Sequence, residues 1–327
     1  MWHQTLPQFV SETEGVEEIG RLIEAHVRLV AGDHPEVDEW DLYNEAPGAL
    51  KPHTPADNPV RRWMEGAGGA GPATERLMAV AREANPKARY ALNHYDGLDP
   101  AYHEQIRYLL SRGVDFGAIG IQSHMHRQGD IWTEQRMWEM LESYAGYGRP
   151  IQLTEVTVLS SEPFTDWREL QAFEKWLRAA RREDRPGLAR PSTPEGEDYQ
   201  ARYARDFYTL AFSHPSVDAI IWWSLSDMND WRGSAGGLLD AQGEPKPVYD
   251  ALAKLIKEEW WTIVEAEADA EGRVSFRGFY GDYRLTVPYD DGERAAEFSL
   301  RQGGAAEQRL TVAPAGATAK GGAGGDD

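Results

Sequence analysis

A parallel β/α barrel followed by a small antiparallel β-domain is the architecture this sequence predicts, and three observations carry it. Short apolar runs alternate with amphipathic stretches through about the first 260 residues, and repeated strand–helix units of that kind build a parallel sheet or barrel. Two glutamates, Glu45 and Glu155, each stand at the C-terminal mouth of a strand-like run, which is where barrels carry their chemistry and which favours a barrel over an open doubly wound sheet. After Trp260-Trp261 the pattern changes to short alternating runs broken by Gly-Asp and Asp-Asp-Gly turns, the mark of hairpins.

Taken in order, residues 1–6 read as a short strand and residues 16–30 as a helix, with Ile19, Leu22, Ile23, Val27 and Val30 at helical spacing. Residues 37–43 are a strand leading to Glu45, and a Pro- and Gly-rich loop over 47–72 precedes a helix from about Thr74. Residues 88–93 are a strand; Asp99-Pro100 then opens a helix running to about Arg112. Residues 116–123 and 133–144 form the next strand and helix. Residues 151–156 are a strand, followed by helical stretches over 167–182 and 197–212 with a Pro-rich surface loop, 185–194, between them. A strand over 217–225 and a helix over 248–259 complete six units, where a (β/α)8 barrel needs eight. Runs at 262–267, 273–280, 282–288, 297–300 and 308–312 make the small β-domain, expected over 260–313 behind a catalytic unit over 1–259. The tail over 314–327, Ala, Gly, Thr and Asp without period, is expected to be disordered.

Composition excludes several functions. With 34 basic and 54 acidic residues the net charge is −20, against the basic surface that nucleic acid or anionic membrane demands. The chain has no cysteine, so disulfides, thiol catalysis and thiolate metal sites are out. The N-terminus has neither the basic nor the apolar segment of a signal peptide, and no apolar run approaches the roughly 20 residues of a membrane span.

Two carboxyls at strand mouths suit glycosidic-bond cleavage, in which one carboxyl donates a proton and the other stabilises or attacks the anomeric carbon. For a lone strand-end Glu, an ordinary ion pair is the better reading. The neighbourhood argues otherwise. Trp40-Asp41-Leu42-Tyr43-Asn44-Glu45-Ala46, Gly120-Ile121-Gln122-Ser123-His124, Thr154-Glu155-Val156, the run from Trp223 to Arg232 and Leu238-Leu239-Asp240 onward to Tyr249 occur in that order. Together they resemble glycoside hydrolase family 10, the endo-β-1,4-xylanases, over about residues 1–257.

The resemblance implies a retaining double displacement with Glu45 as acid/base and Glu155 as nucleophile, carboxyls about 5–5.5 Å apart, and no metal or organic cofactor. It implies that Asn44 binds the sugar 2-hydroxyl and that His124 bonds the nucleophile. Gln122 orients its neighbours, and Trp223 and Trp231 wall the sugar site. Asn93 and Tyr95 match a substrate-contacting segment in which His94 replaces the usual acidic residue. Trp222 points the opposite way along its strand, toward the core. His3, in Trp2-His3-Gln4, matches a third-strand contact; Thr5 stands where the family has a glutamine, with Gln4 one place early.

On this matching residues 1–5 are the third strand of the barrel, so the fold is expected to be an N-terminally truncated (β/α)8 barrel holding strands 3–8. The chain is accordingly expected to be a fragment or a late-start product of a secreted protein. The implied partner is a polysaccharide, xylan or xylo-oligosaccharides, bound by a monomer. A related β-glycanase with another substrate and an inactive xylan-binding fragment remain alternatives. In the small β-domain Phe276, Phe279, Tyr280, Tyr283 and Tyr289 read either as a sugar-binding face or, two to one, as its core.

Overall fold

The computed structural model describes residues 3–4, 6–179, 190–228, 230, 232–290, 292–305 and 307–314. By contact clustering the chain divides into two compact units, Met1–Leu252 and Ala253–Asp327.

The first unit opens with a turn at His3 and Gln4; the strand expected over 1–6 otherwise falls largely outside the described residues. A one-turn helix α1 (Gln8–Ser11) precedes α2 (Val16–Asp33), whose buried Ile19, Ile23, Val27 and Ala31 repeat at helical spacing. Strand β1 (Glu39–Asn44) ends at Glu45 and a short 3-10 turn, Ala46–Leu50. The loop expected over 47–72 holds a helix, α3 (Pro59–Gly66): Pro59 sits at its first position, and the Asn58 side chain accepts from the Val60 and Arg61 N–H groups. Next come α4 (Ala70–Ala84), β2 (Arg89–His94) and α5 (Pro100–Ser111) with Asp99 as its cap, then β3 (Ile119–Ile121) and the two-residue β4 (His124–Met125). Helix α6 (Glu134–Ala145) begins at the Thr133 cap. Strand β5 (Ile151–Val158) leads to α7 (Trp167–Ala179), α8 (Pro194–Ser213), β6 (Val217–Trp222) and α9 (Pro247–Lys254). The loop expected over 185–194 lies mostly outside the described residues.

All pairings in this unit's sheet are parallel. The order is β1-β2-β3-β5 with β6 on the far side of β5, and β4 pairs with the C-terminal end of β5 beside β3. Such strands are buried by helices on their outer face, and Tyr90, Leu92, Ile119, Ile121, Ile151 and Leu153 are at most 1% exposed. Between β2 and β3 the backbones close in at Gly120, where an added Cβ would stand 2.6 Å from the Leu92 carbonyl and 3.0 Å from Asn93 Oδ1. Only glycine fits there, and Asn93 keeps its position.

The second unit contains the hairpin β7 (Gly281–Tyr289) and β8 (Gly292–Leu300), with β9 (Ala313–Pro314) paired to Arg294 and Ala295. Of the five runs expected here, 262–267, 273–280 and 308–312 join no strand ladder. Tyr283 lies opposite Phe298 with ring centroids 5.3 Å apart, and Phe276 stands 5.7 Å from Tyr283. These three rings pack on one another. Tyr280 is 67% exposed. Residues 315–327, most of the expected disordered tail, lie outside the described residues.

Candidate active site

The C-terminal ends of β1, β2, β3, β4 and β5 deliver one connected set of side chains. Glu45 follows β1 with φ 60° and ψ 38°, its N–H bonded to the Asn93 carbonyl at 2.8 Å. Ser123, between Gln122 and His124, has φ 65°. Among the described residues these are the two non-glycine positions with positive φ. Backbone of that kind costs an L-residue roughly 1–2 kcal/mol, and both instances fall in this cluster.

A chain of amides links the two glutamates. Gln122 Nε2 donates to Glu45 Oε1 at 2.9 Å and to Asn44 Oδ1 at 3.1 Å. Asn93 Nδ2 donates to the same Asn44 oxygen at 3.0 Å and to Glu155 Oε1 at 2.9 Å. Thr154 fixes the Asn93 amide by donating to its Oδ1 at 2.7 Å. The other Glu155 oxygen meets His124 Nε2 at 3.1 Å, while His124 Nδ1 contacts the Thr157 hydroxyl at 3.0 Å. Glu45 is 7% exposed and Asn93 2%.

Asp41 joins from below, accepting from Asn93 Nδ2 at 3.4 Å. In a regular strand Asp41 and Asn44, three apart, would face opposite sides. A register shift between Asp41 and Tyr43 lets both reach Asn93. Burial of the carboxyl, and then the charge of Glu155, push Asp41 up to about 6, although the residue as a whole is exposed.

The family model described as Glycosyl hydrolase family 10 matches residues 1–255. The chain belongs to this family. Among curated proteins it is similar to the anti-sigma-I factor RsgI6 of Acetivibrio thermocellus, 26% identical over 210 residues, or 63% of this chain and 23% of that protein. It is also similar to endo-1,4-beta-xylanase 3 of Hypocrea jecorina, 25% identical over 273 residues, or 79% of this chain and 62% of the enzyme. The chain thus spans 23% and 62% of the length of these two relatives. Among solved structures it resembles a family 10 glycoside hydrolase from Paenibacillus barcinonensis with TM-score 0.61, 22% identity and coverage of 79% of this chain and 75% of that one. The likeness shows a (β/α)8 barrel fold, to which the parallel sheet of the first unit belongs.

Within this family 10 chain the remaining expected residues are placed as follows. His3 is 2% exposed and stands beside Gly48, where an added Cβ would meet its Cε1 at 3.3 Å and Tyr95 Cε1 at 3.5 Å. Burial, with the nearby His53 and His94, lowers His3 to about 4, so the ring is neutral near pH 7. Tyr95 is 37% exposed; burial and the charges of Asp99, Asp96 and Glu45 push its hydroxyl up to about 12. Trp223 is 43% exposed, its N–H bonded to the Val156 carbonyl at 2.9 Å. Trp231 lies outside the described residues, as do Trp2 and Thr5. Trp222 turns away, donating from Nε1 to the Gly236 carbonyl at 3.0 Å.

His94 does not face the cluster. It is fully buried, with Nε2 3.0 Å from Asp99 Oδ2, and Lys51 Nζ reaches the other Asp99 oxygen at 2.7 Å. Burial opposes the Asp99 charge, but His94, Lys51 and the Ala101 N–H together hold its carboxyl well below the usual carboxylate range. His94 and Lys51 thus bracket the Asp99 carboxylate behind the strand.

Sequence reading passed over three contributors. Asp41 was hidden by the register shift, which no period-2 count reveals. Thr154 and Thr157 orient Asn93 and His124, and their signal was position alone: they lie one residue before and two residues after Glu155 in the same strand.

Proposed function

We propose that this chain is a retaining endo-β-1,4-xylanase acting on internal bonds of xylan, with Glu45 as acid/base and Glu155 as nucleophile. The observation that carries the reading is the unbroken amide bridge Glu45–Gln122–Asn44–Asn93–Glu155, which gathers two carboxyls at one strand-end cleft. Membership of family 10 and similarity to proteins named endo-1,4-beta-xylanase support the substrate class.

In the first step a Glu155 oxygen attacks the anomeric carbon while Glu45 gives its proton to the departing glycosidic oxygen. His124 and Asn93 each hold one Glu155 oxygen, fixing the attacking carboxylate in orientation. In the second step Glu45 takes a proton from water, which displaces Glu155 from the sugar. Asn44 accepts at Oδ1 from both Gln122 and Asn93, so its Nδ2 hydrogens are what it offers to a sugar hydroxyl, a contact that helps most if it tightens in the transition state. The open faces of Trp223 and Tyr95 suit pyranose rings. A polymeric substrate places the reaction outside the cell.

Glu155→Ala should abolish turnover on xylan and on aryl xylosides alike. Glu45→Ala should lose about 10²–10⁴-fold on xylan, the usual worth of a general acid. It should spare an aryl xyloside with a good leaving group, which needs little protonation. Equal losses on both substrates would overturn the role assignment. A second reading is an inactive xylan-binding protein; xylo-oligosaccharide binding with no hydrolysis of an activated aryl xyloside would establish it.

A further inference from the structure

One face of helix α7 leans on the loop that follows β6. Leu170, Phe173, Glu174 and Leu177 share that face by helical spacing. Leu170 is buried in a local core with Leu159 and Phe164, and Phe173 packs against it. Farther along, a Cβ added at Gly233 would touch Leu177 at 3.4 Å and Phe173 at 3.7 Å. The Gly233 carbonyl also accepts from the Arg190 N–H at 3.1 Å. Glu174 therefore points its carboxylate at this loop, and there it meets the guanidinium of Arg232. Both side chains are mostly buried, Glu174 21% and Arg232 12% exposed.

The backbone around Arg232 is fixed by its own loop. One Asp230 carboxylate oxygen accepts from the Arg232 N–H at 2.9 Å and from the Ser234 N–H at 3.3 Å, and the Asp230 carbonyl takes the Gly233 N–H at 2.9 Å. Burial works against the guanidinium charge; Glu174, then Asp230, Asp130 and Glu45, support it. Burial, and then the charge of Arg232, hold His126 well below its ordinary value, and the His126 ring stacks on His124 with centroids 5.1 Å apart. The cation thus borders the cluster that joins Glu45 to Glu155. Tyr43 from β1 and Tyr95 after β2 face Glu45 as neutral hydroxyls that burial pushes up, and Gln122 faces it as an amide. Glu155 stands across the amide bridge as an anion, and Arg232 brings a positive charge. A cation beside a carboxyl favours the ionised form, which is the wrong form for a general acid. An anion seated on that cation cancels most of its reach.

We propose that Glu174 is a positioning residue for the acid step: by holding the Arg232 guanidinium it screens Glu45 from that charge, so that Glu45 keeps the proton it must deliver. This role rests on the xylanase reading above.

The test is the pH profile of kcat/KM for the wild type, Glu174→Gln, Glu174→Asp and the control Glu162→Gln, on xylohexaose and on an aryl xyloside with a good leaving group. Glu162 is exposed and precedes α7. The alkaline limb on xylohexaose reports loss of the acid's proton. Glu174→Gln keeps an acceptor for Arg232 but removes the charge, while Asp230 still holds the loop. It should move that limb down by roughly half to one pH unit, the effect of one charge at close range in a partly buried site. Glu174→Asp keeps the charge and should hold the limb near its wild-type place, and Glu162→Gln should leave it unmoved. On the aryl xyloside, which needs little protonation, no variant should shift the limb. A limb that stays put in Glu174→Gln, or moves equally on both substrates, would overturn the screening role while leaving the xylanase reading intact. A Glu174→Asp profile displaced as far as that of Glu174→Gln would assign Glu174 to packing and overturn it as well. A wild type that hydrolyses neither substrate would overturn the xylanase reading and the screening role with it.

Discussion

Glu45 holds a left-handed backbone at the point where its side chain must turn into the cleft, and glycine would hold that backbone without strain. The side chain is retained there at a conformational cost, a pattern that clusters at functional sites. Glu45→Gly should therefore be more stable than Glu45→Ala by about 1 kcal/mol, measurable by urea denaturation, although both lack the carboxyl. Asp41 gives a second expectation. Its carboxyl is raised to about 6 in the folded protein from an ordinary 3.8, so between those values the folded state binds more proton than the unfolded one. Stability from this group is present at low pH and is lost as pH rises through about 6. Asp41→Asn should raise the melting temperature relative to wild type at pH 7.5 more than at pH 4; an equal shift at both would contradict it.

At the scale of elements, the loop following β6 is held by a pair that composition could not reveal. Asp227 and Lys246 are 1% and 2% exposed, Lys246 Nζ lies 3.1 Å from Asp227 Oδ2, and the Gly237 N–H donates to Oδ1 at 2.7 Å. Burial disfavours both charges, raising Asp227 and lowering Lys246, so each depends on the other. Lys246→Met leaves a buried carboxylate uncompensated and should cost about 3–5 kcal/mol in chemical denaturation, with Asp227→Asn in the same protein recovering part of it. Helix α5 was legible from Asp99-Pro100, and α6 from Thr133 and Glu134, because cap chemistry is local. Helix α3 was not: its eight residues sit among Pro and Gly, and what commits them is the burial of Val60, Trp63 and Met64, a tertiary fact. The ladderless runs at 262–267 and 273–280 failed for the converse reason, since alternation without a partner strand makes no sheet.

Across the whole molecule, the parallel sheet was readable because each β/α unit announces itself within a few tens of residues. So were the positions of the two glutamates, Glu45 just past β1 and Glu155 within β5, because ordered motifs are sequence features. The hydrogen-bond connectivity was not, because it depends on register: Asn44 and Asn93 meet only through the pairing of β1 with β2. The division at Leu252 and Ala253 gives a prediction at this scale. A protein ending after Glu259 should keep its kcat/KM on xylo-oligosaccharides and, because Phe276, Tyr283 and Phe298 are spent on one another, its affinity for insoluble xylan. A large loss of affinity on truncation would instead assign sugar binding to the second unit. Among the described residues no helix is long and apolar enough to cross a membrane.

The Asn93 amide has two hydrogens and three oxygens asking for them: Glu155 at 2.9 Å, Asn44 at 3.0 Å and Asp41 at 3.4 Å. The cluster is one hydrogen short, and Asp41 is the oxygen left waiting. In the proposed mechanism Glu155 becomes esterified to a sugar; its claim then weakens, and the same amide can lean toward Asp41 without any strand moving. A proton arriving on Asp41 would fill the vacancy differently, turning the waiting acceptor into a donor. The resting site is thus a three-way contest over two hydrogens, which each turnover of the proposed mechanism would re-decide.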